Sequence, residues 1–511
     1  MQVGGQKHEF SVSFMKSTHA RHAVLLFGCV LLSGCLGNPS ELTSSAPDKP
    51  WGPAGDSGSF AVQGPVDDTL TRTSAAPRIR IQGGKVYTLS ELIDLGQRSH
   101  PSTRVAWEQA RQAAAAVGIA EGTFLPMISA NVIAGYQDVT TPLPTPFGGT
   151  DYVSTKASGV VPSIALQWLL FDFGERQTLL DAAKETAFAA NVAFNGTHQA
   201  LIHNITRAYY LYGVARQKSG IAEYSLRNSR KILAAAQGRY SSGIGTSIEV
   251  AQAKQLVAQS RFRLVQAQDG LDDAYQGLTG AVGLAPNVRI KVASSTNRRL
   301  PGTRVEPTDK VIRQALSRRP DVLASYAALK ASQANERAAA AAFLPKVYLG
   351  AVAAANQGSV QAGGLPGVGL QNTASGVMLG VTVPIFDGQI RKNRQRQAAS
   401  ATRAAAALHR QTREASIREI LLASNSLRSA LASYEAASEL RRASTVTYNA
   451  AFEAYQNGLG TLTDVTAADS SLLDAREAQA DAHAASLLAA SSLAFMLGNM
   501  TSSSAPEEAL R

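Results

Sequence analysis

Two periodicities alternate along this chain. Ile202, Ile205, Tyr209 and Tyr212 step by three and four, the spacing of an apolar stripe on a packed helix. Ile128, Ala130, Val132, Ala134 and Tyr136 step by two, with Ser129, Asn131 and Gln137 between them, which predicts a strand with one apolar face. Both patterns return later in the chain. Ile417, Ile420, Ser424 and Leu427 repeat the helical seam, and Leu379, Val381, Val383 and Ile385 repeat Ile164, Leu166, Trp168 and Leu170. The predicted strands are about ten residues long, a length suited to crossing an outer membrane. They pair as hairpins through Gly- and Pro-rich loops over 140–152 and 357–372.

Proline is absent from 163–285 and from 385–505, and both stretches are rich in Ala, Gln, Leu and Arg. That combination predicts long helices over 174–240 and 388–455, each roughly 100 Å at 1.5 Å per residue. Each helix ends in a glycine pair and a threonine: Gly243, Gly245 and Thr246, then Gly458, Gly460 and Thr461. Glycine permits the positive φ of a tight turn, and threonine caps the helix that follows.

These landmarks make the chain a tandem duplication. Phe124-Leu125-Pro126 recurs 219 residues on as Phe343-Leu344-Pro345, and Phe171-Asp172 recurs 215 on as Phe386-Asp387. Tyr240 and the turn after it recur at the same offset of 215. The boundaries expected are 86–284 and 308–498 for the repeats, 285–307 for a linker and 499–511 for a tail. A segment over 35–85, rich in Gly, Pro, Ser and Thr, reads as a tether.

Residues 1–34 read as an export signal: Lys16, Arg21 and His22 precede an apolar run ending in Leu32-Ser33-Gly34-Cys35. That ending resembles a bacterial lipoprotein cleavage box, which implies lipid on Cys35 and loss of Cys29 with the signal. With only two cysteines there is no disulfide framework. The net charge is +11, of which residues 1–34 contribute +2. Much of the rest sits at Arg391, Lys392, Arg394, Arg396, Arg403, Arg410 and Arg413, a stretch without an acid. It reads as a solvated helix face, or as a band facing headgroups or a pore; nucleic acid is not expected for an exported protein.

Four membrane strands leave open edges, and unpaired backbone groups in lipid cost several kcal/mol each. Other copies must close the wall. Eight strands from two chains give an interior filled by side chains, whereas twelve from three leave an aqueous bore.

The order and duplication of Phe-Leu-Pro, Phe-Asp and Tyr-x-x-Gly-x-Gly-Thr resemble the TolC family of outer-membrane channels. The resemblance implies an α+β membrane protein: a trimeric 12-stranded β-barrel, four strands per chain, continuous with a long periplasmic α-helical barrel. It also implies a homotrimer that meets outer-membrane lipid, a periplasmic adaptor (membrane fusion) protein and an inner-membrane transporter, with no cofactor, metal or catalytic residue. By the same resemblance the two helix turns form the periplasmic tip, with Gly243, Gly245, Thr246, Gly458, Gly460 and Thr461 at the docking surface. Asp464 matches an acidic gate position, and Glu249 is its counterpart in the first copy. A ring of such carboxylates would carry raised, coupled pKa values; both residues also suit the positive end of a helix. Ala467 stands where the family often has a second acid.

The function implied is the outer-membrane exit duct of a tripartite efflux system for small molecules. The alternative within that fold is type I protein secretion, since the run from His100 to Arg104 with Ala106 and Trp107 resembles some secretion-type relatives. The alternative of another class is a periplasmic coiled-coil adaptor lipoprotein. Enzyme chemistry is not expected: no nucleotide-binding loop occurs, and His198 and His203, five apart, fall on different sides of a helix.

Overall fold

The computed structural model describes residues 51–52, 55–56 and 84–500, apart from 145, 296–297, 302–307 and 364. The signal, Cys35 and most of the tether lie outside the described residues. The chain divides into units Met1–Arg80 and Ile81–Arg511. In the first, Trp51–Gly52 pairs with Gly55–Asp56. The second holds everything that follows.

Each repeat runs helix, helix, strand, strand, long helix, helix. The first comprises α1 (Leu89–Ser99), α2 (Pro101–Gly122), β2 (Met127–Pro144), β3 (Thr150–Phe171), α3 (Glu175–Ser241) and α4 (Ser247–Val282). The second comprises α5 (Asp309–Leu316), α6 (Pro320–Ala341), β5 (Lys346–Ala362), β6 (Val368–Thr382), α7 (Ile390–Gln456) and α8 (Leu462–Met496). Two short strands, β1 (Val86–Tyr87) and β4 (Lys291–Val292), pair in parallel. The strands of the two copies form one antiparallel sheet in the order β2-β3-β5-β6. Near the sheet α2, α3, α6 and α7 pack side by side; farther away α4 and α8 pack against α3 and α7.

The long helices match expectation, at 67 residues each. The strands do not. They are 18, 22, 17 and 15 residues long, and they consume most of the stretches expected as loops. Register pairing continues to Pro144↔Thr150 and to Val360↔Val368. Turn residues along those stretches misled the reading: Pro142 and Pro144 lie on β2, a strand with an unpaired edge in this chain, where a missing N–H is tolerated.

Equivalent contacts hold the two copies. Gly96 lies against buried Ile205, and 219 and 215 residues on Ala315 and Ile420 share a core cluster. A side chain at Gly96 would collide with Ile205, so α1 sits closer to its long helix than α5 can. Each helical hairpin ends in a left-handed glycine seated on the start of its own repeat: Gly283 on His100, Gly498 on Arg318.

The strand-to-helix junctions are built from the Phe-Asp motif and an arginine four residues later. Asp172 accepts the amide of Arg176 at 2.9 Å and its Nε at 2.8 Å. Arg176 also donates to Thr123 O at 2.8 Å, and its guanidinium lies 4.7 Å from the Phe124 ring. In the second copy Arg391 donates to Asp387 at 2.8 Å and to Pro384 O at 3.0 Å, over Phe343. Phe-Leu-Pro and Phe-Asp are therefore two parts of one knot that ties the entry of a hairpin to its exit. The turn into each long helix passes through two left-handed residues, Phe173-Gly174 and Gly388-Gln389. The glycine occupies opposite places in the two copies.

A buried polar pair joins the copies farther down. Asn228 donates to Asp469 at 2.9 Å, and both are almost fully covered. Burial pushes the Asp469 carboxyl up, against the pull of Arg263 and Arg476.

Two outcomes follow for thermal unfolding of the purified protein. Arg176→Ala strands a buried carboxylate and costs on the order of 3 kcal/mol. Arg391→Ala costs less, because the Asp387 side chain is 29% exposed against 7% for Asp172. Asp469 has a folded pKa above its unfolded value. Its contribution is therefore full below the ordinary carboxylate range and is lost as pH rises through the raised value. Asp469→Asn, which keeps an acceptor for Asn228, raises the Tm at pH 7, and the gain disappears in acid.

Candidate functional site

The sheet has two unlike faces. Along β3 from Lys156 to Ile164 even-numbered residues are exposed and odd-numbered ones half-buried, and β5 alternates likewise from Gln357 to Ala362, with its odd-numbered residues exposed. The exposed, convex face is apolar nearest the helices: Ile128 and Val132, Ile164 and Leu166, Leu349 and Ala353, Val377 and Leu379. The band runs from Trp168 to the level of Tyr136. Tyr136 pairs with Ser158, so along β3 that is ten residues, about 34 Å of strand, or roughly 26 Å in height at a 40° tilt, close to the apolar belt of outer-membrane barrels. Aromatic residues mark both borders. Trp168 donates its indole N–H to Phe124 O at 2.8 Å, so its polar atom is satisfied where lipid would meet the helices. Beyond Tyr136 the same face turns polar, with Asp138, Lys156, Ser158, Ser359 and Gln361. On the concave face at membrane level stand Asn131, Ser163, Asn356 and Asn372. Among the described residues no helix is long and apolar enough to cross a membrane.

The opposite end of the molecule is made by the two helix turns. Gly243 and Gly458 adopt φ of 74° and 78°. The next residues close identical hydrogen bonds: Ile244 and Gly245 donate to Arg239 O, Leu459 and Gly460 to Ala454 O. Gly245 has no room for a Cβ, which would lie 2.9 Å from Tyr240 N; Gly460 is nearly as tight. Thr246 accepts from the amide of Glu249, and Thr461 from that of Asp464, so both threonines are caps. These residues therefore make the turn the spacing predicts. What the turns present outward is apolar: Ile244, Ile248 and Leu459 are 64%, 66% and 86% exposed.

Asp464 is exposed and completes a capping box, its carboxylate accepting from Thr461 Oγ1 at 2.7 Å and Thr461 N at 3.1 Å. Those bonds, the hydroxyl first, hold its carboxyl below the usual carboxylate range, the reverse of the upward shift expected for a crowded ring. Within one chain nothing crowds it, and the cap dominates. Glu249 has a different role: it accepts from the Tyr455 hydroxyl at 3.5 Å. Arg239 donates to Tyr455 O at 2.9 Å and to Ile244 O at 3.4 Å, with its guanidinium 4.9 Å from the Tyr455 ring. Tyr455 is fully covered, and burial, then the Glu249 carboxylate, raises its phenol. The two turns are thus tied together through Arg239, Tyr455 and Glu249, whereas Asp464 stands outside that cluster.

Arg239 and the bridging use of Tyr455 escaped the sequence reading. One signal was available: the residue 215 after Arg239 is Ala454, so an arginine interrupts the repeat immediately before the duplicated tyrosine. Of the basic stretch, Arg391 is consumed by the junction, while Lys392, Arg394, Arg396, Arg403, Arg410 and Arg413 are exposed on α7. Among the described residues no group of His, Cys, Asp and Glu is arranged to hold a metal ion.

Comparison with known proteins agrees with this geometry. The family model described as outer membrane efflux protein matches residues 92–284 and 311–499. Protein CyaE of Bordetella pertussis is 28% identical over 413 residues, covering 79% of this chain and 83% of that protein. The pyoverdine export outer membrane protein OpmQ of Pseudomonas aeruginosa is 27% identical over 64% of this chain and 66% of its own. The crystal structure of the outer membrane protein VceC from Vibrio cholerae superposes with a TM-score of 0.66 at 20% identity, covering 80% of this chain and 96% of that one. With one match on each copy of the duplication, the chain belongs to the outer membrane efflux protein family.

Proposed function

We propose that three copies of this chain form the outer-membrane exit duct of a tripartite efflux system, passing small molecules from periplasm to exterior. The carrying observation is the sheet itself. It has an apolar convex face of membrane height, a concave face that sets Asn131, Ser163, Asn356 and Asn372 among apolar residues such as Ile133 and Val352, and unpaired outer edges on β2 and β6. Three copies joined edge to edge give twelve strands, enough for an aqueous bore, and leave no backbone group unpaired in lipid. Lipid on Cys35 anchors each copy to the same membrane.

The helix turns form the periplasmic end. Ile244, Ile248 and Leu459 supply the apolar contact for a periplasmic adaptor protein, which links the duct to an inner-membrane transporter. Gly243, Gly245, Thr246, Gly458, Gly460 and Thr461 hold that surface in shape. Asp464 and Glu249 place carboxylates there, and threefold repetition would favour cations at the opening. The tie from Arg239 through Tyr455 to Glu249 keeps the two turns of one chain together in the closed state.

Type I secretion gains nothing from the structure. His100 and Pro101 serve as cap and first residue of α2, and Arg319 and Pro320 do the same for α6, so the run resembling secretion-type relatives makes a corner of the fold. The adaptor alternative fails on the four-stranded sheet and on the family assignment.

Purified protein added to planar bilayers should give discrete ion-conducting channels; correctly folded trimers that conduct nothing would defeat the duct. Tyr455→Phe and Arg239→Ala loosen the tie and should raise single-channel conductance or open time, by about twofold or more for loss of one charge-assisted hydrogen bond. Asp464→Asn keeps a capping acceptor and removes the charge. Cation preference, read from the reversal potential in a salt gradient, should fall, and an unchanged potential would leave Asp464 as a cap alone.

A further inference from the structure

The strands extend well past the membrane band, and there the convex face turns polar while the concave face keeps apolar residues. Beyond Tyr136 the convex face carries Asp138, Lys156, Ser158 and Gln361, while the concave face carries Val139, Leu143, Val153, Val360, Ala362 and Val368, with Thr141, Thr155 and Asp151 among them. Val153, Val360 and Ala362 are already half-buried within one chain. At membrane level both faces carry apolar residues, with Ile133, Val161, Val352 and Met378 on the inside; above it, apolar residues lie mainly on the inside. A cylinder with water on both sides gains nothing from apolar residues on its inner wall unless they meet one another.

The change coincides with a line of glycines. Gly135, Gly159 and Gly358 are register partners on β2, β3 and β5. They floor a hollow of about 490 Å³ on the concave face, bordered by Val161, Asn356 and Leu370. A Cβ on Gly159 would lie 3.0 Å from Gln357 O, and one on Gly358 would collide with Ser158 O. The strands of the two copies therefore approach more closely here than any other residue would allow. A row without side chains is also where a sheet bends most easily.

We propose that above this glycine row the three copies lean inward and pack their Val and Leu faces together, closing the outer mouth with an apolar collar. Val139, Val153 and Val360 then set what passes. Ions and water pass only during transient openings of this apolar constriction, so conductance is intermittent rather than absent, whereas amphiphilic or apolar cargo can part it. The collar lies at the opposite end of the duct from the carboxylates of the helix turns. It rests on the trimeric channel reading, and its test separates the two.

In an open cylinder of twelve strands, about 24 Å across, β3 of one copy stands roughly 20 Å from β3 of the next. A disulfide needs Cβ atoms about 4 Å apart. Val153→Cys and Val360→Cys, each in the full chain, should give disulfide-linked dimers of the chain on mild oxidation. Ser163→Cys, on the same face of β3 below the glycine row, should give at least about tenfold less. The unaltered protein shows what Cys29 and Cys35 contribute. Intact trimers in which neither Val153→Cys nor Val360→Cys cross-links beyond Ser163→Cys overturn the collar. Absence of trimers overturns the channel reading beneath it.

Discussion

A sheet in lipid can have no open edge. This chain supplies four strands whose outermost members, β2 and β6, are unpaired within it. In water such edges would be solvated; in hydrocarbon each bare N–H and C=O costs several kcal/mol. The rest of the architecture answers that requirement. The duplication provides two hairpins in one sheet, the register carries them as a continuous ladder from β2 to β6, and further copies must complete the ring. The helices inherit the arrangement, because each long helix continues a strand, and α2 and α6 each lead into one.

The junction where strand becomes helix transmits that order. Asp172 and Arg176, or Asp387 and Arg391, clamp the exit of a hairpin, and in the first copy Arg176 reaches back to Thr123 O at the hairpin's entry. The first clamp is buried and the second half-open, so a shared motif carries unequal energy in the two copies. Where the copies differ, they differ for use. Arg239 has no counterpart and ties the two turns; Asn228 and Asp469 have none and join the copies halfway down. Repeated residues build the wall, and unrepeated ones hold its parts to one another.

Much of this was legible in the chain. Absence of proline located both 67-residue helices almost to the residue. The glycine pairs and threonines located the turns, since positive φ and helix capping are local demands that a few residues meet alone. Strand ends were less legible: Pro142, Pro144, Gly358 and Gly369 read as loop, yet neighbouring strands supplied the pairing that local preference lacked. Asp464 was visible as an acid at a turn, but its capping bond, which lowers rather than raises its pKa, depends on where one hydroxyl points.

The sequence by itself determined the duplication, the kind and order of the elements, and the turns, because these follow from short-range periodicity and backbone preference. Only the tertiary structure decided which strands are neighbours and which face of the sheet is convex. It alone brought Arg239 to Tyr455 and Glu249, 216 and ten residues away along the chain. Nor could periodicity show that the outside loses its apolar residues at the Gly135–Gly159–Gly358 row while the inside keeps them. Alternation by two marks one face from the other, but only pairing in a curved sheet says which of them meets lipid.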